Sequence, residues 1–201
     1  MISHTPAPGA ASILGALAQS AGGRRAWLLK AAAIGLGIAL ITAAAKIQVP
    51  FWPVPTTMQT LAVLLIGASY GRLLSLATVA GYLGLGAAGL PVFAGATAGL
   101  GILVAPTAGY LIGFFAATLL LGWACERGIG RSLPRLLALC LAASAVILLL
   151  GTAFLSLWVG PAKALALGLL PFLFGDALKS VLAAILVSLA QTAVRRSGTH
   201  R

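Results

Sequence analysis

The stretch "LLPFLFGDALKSVLAAIL", residues 169–186, is apolar almost throughout and yet holds Asp176 and Lys179. A helix needs about 20 apolar residues to cross a bilayer, so this segment and the residues after it read as a membrane span with two charges inside. Insertion scales put the cost of Asp or Lys at a helix centre at roughly 2.5–3.5 kcal/mol. Pro171 reads as the outer end of the span, with Asp176 about one turn and Lys179 about two turns further in. Their i, i+3 spacing places both on one helix face, within reach of each other.

Two readings of the pair stand at this point. It is either a self-satisfied ion pair that locks helices together, or a binding site, since ionisable residues inside spans usually face the bundle interior and mark a substrate route. A neutralised pair still has lone pairs and N–H groups that need partners in a dry interior. The chain contains no asparagine, and a bound polar ligand would supply the missing partner. Lys179 would donate to it and Asp176 would accept from it. Aliphatic and aromatic surroundings call for a small, largely apolar ligand with one polar edge. A cyclic urea fits, its carbonyl accepting from the ammonium and its N–H donating to the carboxylate, although the fit does not single it out.

The rest of the chain is equally apolar. Of its 201 residues 61% are hydrophobic and 7% charged, against about 25% charged in a soluble domain. Such a chain cannot cover a water-facing surface, so its solvent is lipid. The formal charge of +11 does not point to nucleic acid, because the basic residues are scattered between apolar runs and form no stripe with interleaved aromatics. Cys125 and Cys140 read as small apolar fillers, since a metal site wants more ligands at short spacing. No cofactor is implied.

The predicted fold is an all-α integral membrane protein, a bundle of six transmembrane helices spanning 26–45, 57–70, 73–89, 104–125, 136–159 and 172–194. Residues 1–23 and 197–201 read as tails around a membrane domain over 24–196. The segment 57–70 is short, about 21 Å at 1.5 Å per residue, and the missing length has to come from adjoining loops. With both termini in the cytoplasm, Arg24, Arg25, Lys30, Arg72, Arg127, Arg131, Arg135, Arg195, Arg196 and Arg201 fall inside and only Lys46 and Lys163 fall in outer loops. That is the expected positive-inside bias. "GRRAWLLK" also resembles a twin-arginine export signal, but its charges are explained as well by the flank of a first, retained span.

Two outer connections are unusual. "KIQVPFWPVPTTMQT" (46–60) has three prolines and reads as a stiff loop. The segment 89–110 is apolar but broken by Pro91, Pro106 and several glycines. Irregular backbone at membrane depth is tolerated where it lines a cavity. Phe51, Trp52, Val92 and Phe93 are poor surface residues, so both loops are expected to fold inward, with Phe51 and Trp52 in a lid.

Four segments taken together resemble the BioY family, the biotin-specific capture (S) subunits of energy-coupling-factor (ECF) vitamin transporters. They are "PVPTTMQTLAVLL" (53–65), "GLPVFAG" (89–95), "APTAGYLIGF" (105–114) and "GDALK" (175–179), in the family's order. The resemblance covers about 30 to 195. It implies a six-helix subunit in the bacterial cytoplasmic membrane, open to the outside and capped by its first and third loops. It implies Asp176 and Lys179 as ligands of biotin's ureido ring and Thr97 as a further polar contact, although the loop here reads "AGATAG" and lacks the family's asparagine. Gln59, Tyr82 and Tyr110 are pocket candidates. Lys46 either attracts biotin's carboxylate or is a solvated loop lysine.

In the first span small residues recur at four-residue spacing: Ala31 with Gly35, Ala33 with Gly37, Ala39 with Ala43. Such faces allow close helix approach, either within the bundle or against another subunit. The resemblance implies the second for Ala39 and Ala43, which would dock a transmembrane coupling subunit that works with two ABC ATPases.

Enzymatic readings fall away. His4 and His200 lie in the tails, leaving no base beside a nucleophile. "GLGAAG" (84–89) follows no strand and has no acidic residue about 20 positions later, and there is no phosphate-binding loop. The competing function is a stand-alone, proton-coupled secondary transporter with Asp176 as the carrier. Against it, no inverted repeat with paired broken helices is visible.

Overall fold

The computed structural model describes residues 23–49, 53–95 and 98–198. Its helices are α1 (Gly23–Lys46), α2 (Gln59–Tyr70), α3 (Arg72–Ala87), α4 (Ala108–Glu126), α5 (Leu133–Val159), the short α6 (Pro161–Ala164) and α7 (Leu170–Gly198). Four helical segments, Gly23–Lys46, Ala108–Glu126, Leu133–Val159 and Pro161–Val194, are long and apolar enough to cross a membrane. The other two, α2 and α3, have 12 and 16 residues, about 18 and 24 Å at 1.5 Å per residue. Neither alone matches the roughly 30 Å of a hydrocarbon core.

Three features differ from the sequence reading. The stiff loop before α2 contains a small antiparallel ribbon of β1 (Gln48–Val49) and β2 (Thr56–Thr57). The prolines between the strands leave the two ends free to pair. The segment from 104 is not one helix: a 3-10 turn (Leu100–Val104) precedes α4, and Ala105 between them is extended, because the ring of Pro106 disfavours the helical region for the residue before it. The last helix does not begin at Pro171. It runs back through a π-turn (Leu165–Leu169) to α6, so Lys163 lies on a helix. Proline has no N–H for the helical ladder. The turn just before it widens, with Leu170 N–H donating to Leu165 O, and the helix passes Pro171 unbroken. Asp176 therefore sits well down a continuous helix.

Close approach at glycine joins α4 to α5. A Cβ on Gly113 would come 2.7 Å from the Cα of Ile147, and one on Gly109 2.6 Å from Leu150 O. Backbone cannot retreat as a flexible side chain can. Gly113→Leu is expected to force the helices apart and lower the melting temperature in detergent by about 2–12 °C, the shift from 1–3 kcal/mol of overpacking.

At the end of α4, Glu126 Oε1 accepts the N–H of Arg72 at 2.7 Å, so the second acid of the chain caps the start of α3. The guanidinium of Arg127 lies 4.1 Å from the Trp123 ring centroid. Cys125 and Cys140 are buried, free thiols.

Candidate functional site

A cavity of about 270 Å³ is walled by residues 53–55 and Thr57 around the β-ribbon, by Phe93 and Ala94 of the third loop, by the 3-10 turn and by α2, α3, α4, α5 and α7. Its apolar wall includes Val54, Phe93, Phe114 and Phe172, all buried. Asp176 and Lys179 both line it and are 2% and 8% exposed, so the charges face an internal hollow and not lipid.

Lys179 Nζ donates to Asp176 Oδ1 at 2.8 Å and to the carbonyl of Thr57 at 2.7 Å. Thr60 Oγ1 donates to Asp176 Oδ2 at 3.4 Å. The Asp176 backbone carbonyl accepts from Ser180 Oγ at 2.8 Å, which fixes the turn between the two charges. An ammonium has three donors and a carboxylate about four acceptor sites. Among the described residues the pair therefore keeps one N–H and part of its carboxylate capacity uncommitted. A donor and an acceptor stand side by side on a cavity wall, the complement of a carbonyl next to an N–H.

Gln59 and Tyr82 also line the cavity, but they are bonded to each other. Gln59 Nε2 donates to Tyr82 Oη at 2.7 Å, and that hydroxyl donates to Val92 O at 3.3 Å. Thr57 Oγ1 donates to Gln59 Oε1 at 3.2 Å. The chain of bonds ties the β-ribbon to the third loop, with Tyr82 as the link. Tyr110 presents its ring to the cavity, while its hydroxyl donates to Gly168 O at 2.7 Å. That carbonyl belongs to the π-turn.

Lys46 is neither a loop residue nor free. It ends α1 and donates to Phe93 O and Gly95 O, each at 2.8 Å, where it straps the third loop to the first helix. Phe93 packs edge-on to Tyr82, with ring centroids 5.4 Å apart, over Gly86, where a Cβ would collide with its ring. Lys46→Met should loosen this loop and speed amide hydrogen exchange at residues 92–95 by about tenfold, given 1–2 kcal/mol for charge-assisted bonds at a partly exposed site. An unchanged exchange rate would show that the strap does not hold the loop in place.

Phe51, Trp52 and Thr97 lie outside the described residues. Sequence reasoning missed the Thr57 carbonyl and Thr60. The signal was the run "TTMQT" at the start of an apolar helix, which supplies polar groups where the ribbon meets α2. The small residues of α1 divide between two faces. Ala33 and Gly37 are buried, and a Cβ on Gly37 would come 2.6 Å from Thr78 Cγ2. Ala31, Gly35, Ala39 and Ala43 form an exposed stripe.

Residues 11–196 match the model of the BioY family. The chain belongs to the BioY family. Its relatives include the "Probable biotin transporter BioY" of Pyrococcus horikoshii, 39% identical over 158 residues, which are 79% of this chain and 93% of that protein. The "Biotin transporter BioY" of Thermotoga maritima is 39% identical over 157 residues, 76% of this chain and 89% of that protein. A crystal structure of the S-component for biotin from an ECF-type ABC transporter superposes with a TM-score of 0.75 and 23% identity, covering 86% of this chain and 95% of that one. That likeness shows the fold: this BioY-family chain has the helical architecture of an S-component.

Proposed function

We propose that the chain binds biotin from the outside and serves as the substrate-capture subunit of an ECF-type ABC transporter in the bacterial cytoplasmic membrane. It acts with a transmembrane coupling subunit and two ABC ATPases and performs no catalysis itself. The observation that carries this reading is the buried Asp176–Lys179 pair, with hydrogen-bonding capacity to spare, on the wall of a largely apolar cavity. The relatives' names supply the ligand. Biotin offers an apolar body and one ureido edge. In this assignment Lys179 donates to the ureido carbonyl and Asp176 accepts an N–H, while Thr60 orients the carboxylate. Thr97 adds a polar contact from the third loop. Gln59, Tyr82 and Tyr110 shape the pocket, the first two by joining the loops.

Six helices cross the membrane, with both termini cytoplasmic. The short α2 and α3 reach across with help from the ribbon and the third loop, whose backbone at membrane depth is tolerated because it lines a cavity. Phe51 and Trp52 belong to the lid formed by the first of these segments. The α2–α3 turn beside Arg72 and the α4–α5 turn with Arg127 and Arg131 face the cytoplasm. Ala39 and Ala43, on the exposed stripe, dock the coupling subunit.

A purified, detergent-solubilised sample is expected to bind biotin stoichiometrically with neither ATP nor a proton gradient, as read by equilibrium dialysis with labelled biotin. Absence of binding, together with vesicle uptake that follows an imposed pH gradient, would support the proton-coupled alternative.

A further inference from the structure

We infer that the site accepts biotin whose carboxylate is blocked as an amide, including biotin joined to the side-chain amine of lysine, about as well as free biotin. This rests on the biotin reading above and adds that recognition lies in the ureido head and not in the charge of the tail.

Among the described residues that line the cavity, the one basic side chain is Lys179, already bonded to Asp176 and to Thr57 O. Residues 50–52 and 96–97 of the neighbouring loops contain no Lys or Arg. Lys46 does not line the cavity, and its ammonium is held by two loop carbonyls. Lys163 is exposed on α6. The remaining basic residues belong to the first turns of α1, to the α2–α3 and α4–α5 turns, and to the end of the chain.

A carboxylate drawn against this wall would lose its hydration without gaining a counter-ion, and an unpaired charge is among the costliest groups to bury. The tail's end therefore stays in water. There, attraction to the exposed Lys46 end of α1 is screened and weak. The polar wall groups do not favour an acid either. Gln59, Tyr82 and Tyr110 are committed to protein partners. Thr107 Oγ1 has no partner among the described residues, and a hydroxyl both donates and accepts, so it suits a carboxylate and an amide alike.

The test is competition on the detergent-purified full chain, with biotin, biotin primary amide and lysine-linked biotin each displacing labelled biotin. The two amides are expected within tenfold of biotin, a difference under about 1.4 kcal/mol. A larger loss for the primary amide overturns the inference and leaves the biotin reading intact. If biotin itself does not bind, the biotin reading falls and this inference falls with it.

Discussion

Asp176→Asn is expected to weaken biotin binding by roughly a hundredfold or more while leaving the amount of protein in the membrane unchanged. The carboxylate accepts from both Lys179 and Thr60, and in the proposed complex it also accepts a ureido N–H. An amide in its place keeps one acceptor oxygen. The Thr60 hydroxyl can rotate to accept from its NH2 group, but that group also meets either the Lys179 ammonium or the ligand's N–H, donor against donor. Loss of a charge-assisted bond together with a buried, unsatisfied donor costs about 3 kcal/mol, which at about 1.4 kcal/mol per tenfold gives the stated loss. The fold should survive, because Lys179 still reaches Thr57 O and the remaining oxygen at position 176. Binding to purified protein and an immunoblot of membranes read the two effects separately. If the variant disappears from the membrane, the pair is a structural lock and its binding role is lost.

Ala39→Trp is expected to reduce uptake by the complete transporter to background without changing biotin affinity. Ala39 sits within the exposed stripe of Ala31, Gly35, Ala39 and Ala43. No residue of that stripe lines the cavity. Helices that pack in lipid through small residues depend on close backbone approach, and an indole on that face would hold a partner helix away by several ångströms. Affinity measured on the isolated subunit should match the unsubstituted protein within about twofold, as expected for a surface change far from the site. Uptake that persists would remove this face from the coupling interface.

Much of the architecture can be read from the residues because lipid simplifies the problem. Long apolar runs have to become helices when no water is present to satisfy the backbone. The i, i+3 spacing of Asp176 and Lys179 sets them side by side on one face. The structure adds that this face lines a hollow and that the carbonyl of Thr57 joins them. That carbonyl was hidden because a backbone acceptor carries no sequence signature. Pro171 misled for a definite reason. Proline usually ends a helix, but a single π-turn absorbs its missing N–H, and that adjustment depends on neighbours such as Tyr110, whose hydroxyl takes the Gly168 carbonyl. Lys46 misled in a different way. Its position beside a proline-rich segment suggests solvent, whereas two carbonyls from residues 47 and 49 positions later hold it. Contacts of that range follow from the fold and not from local pattern. The same holds for the α1 stripe, whose repeat of small residues was plain while the division into a buried and an exposed face was not.

The proposed function requires that the ureido edge of biotin complete the hydrogen bonding of two opposite charges sunk in the bundle. The most direct check is an experimental structure of the chain with biotin bound. The ureido carbonyl oxygen should lie about 2.7–3.2 Å from Lys179 Nζ, and a ureido nitrogen at a similar distance from an Asp176 carboxylate oxygen, within ordinary hydrogen-bond range. Biotin bound elsewhere, or in this cavity with its ureido ring turned away from an undisturbed pair, would contradict it.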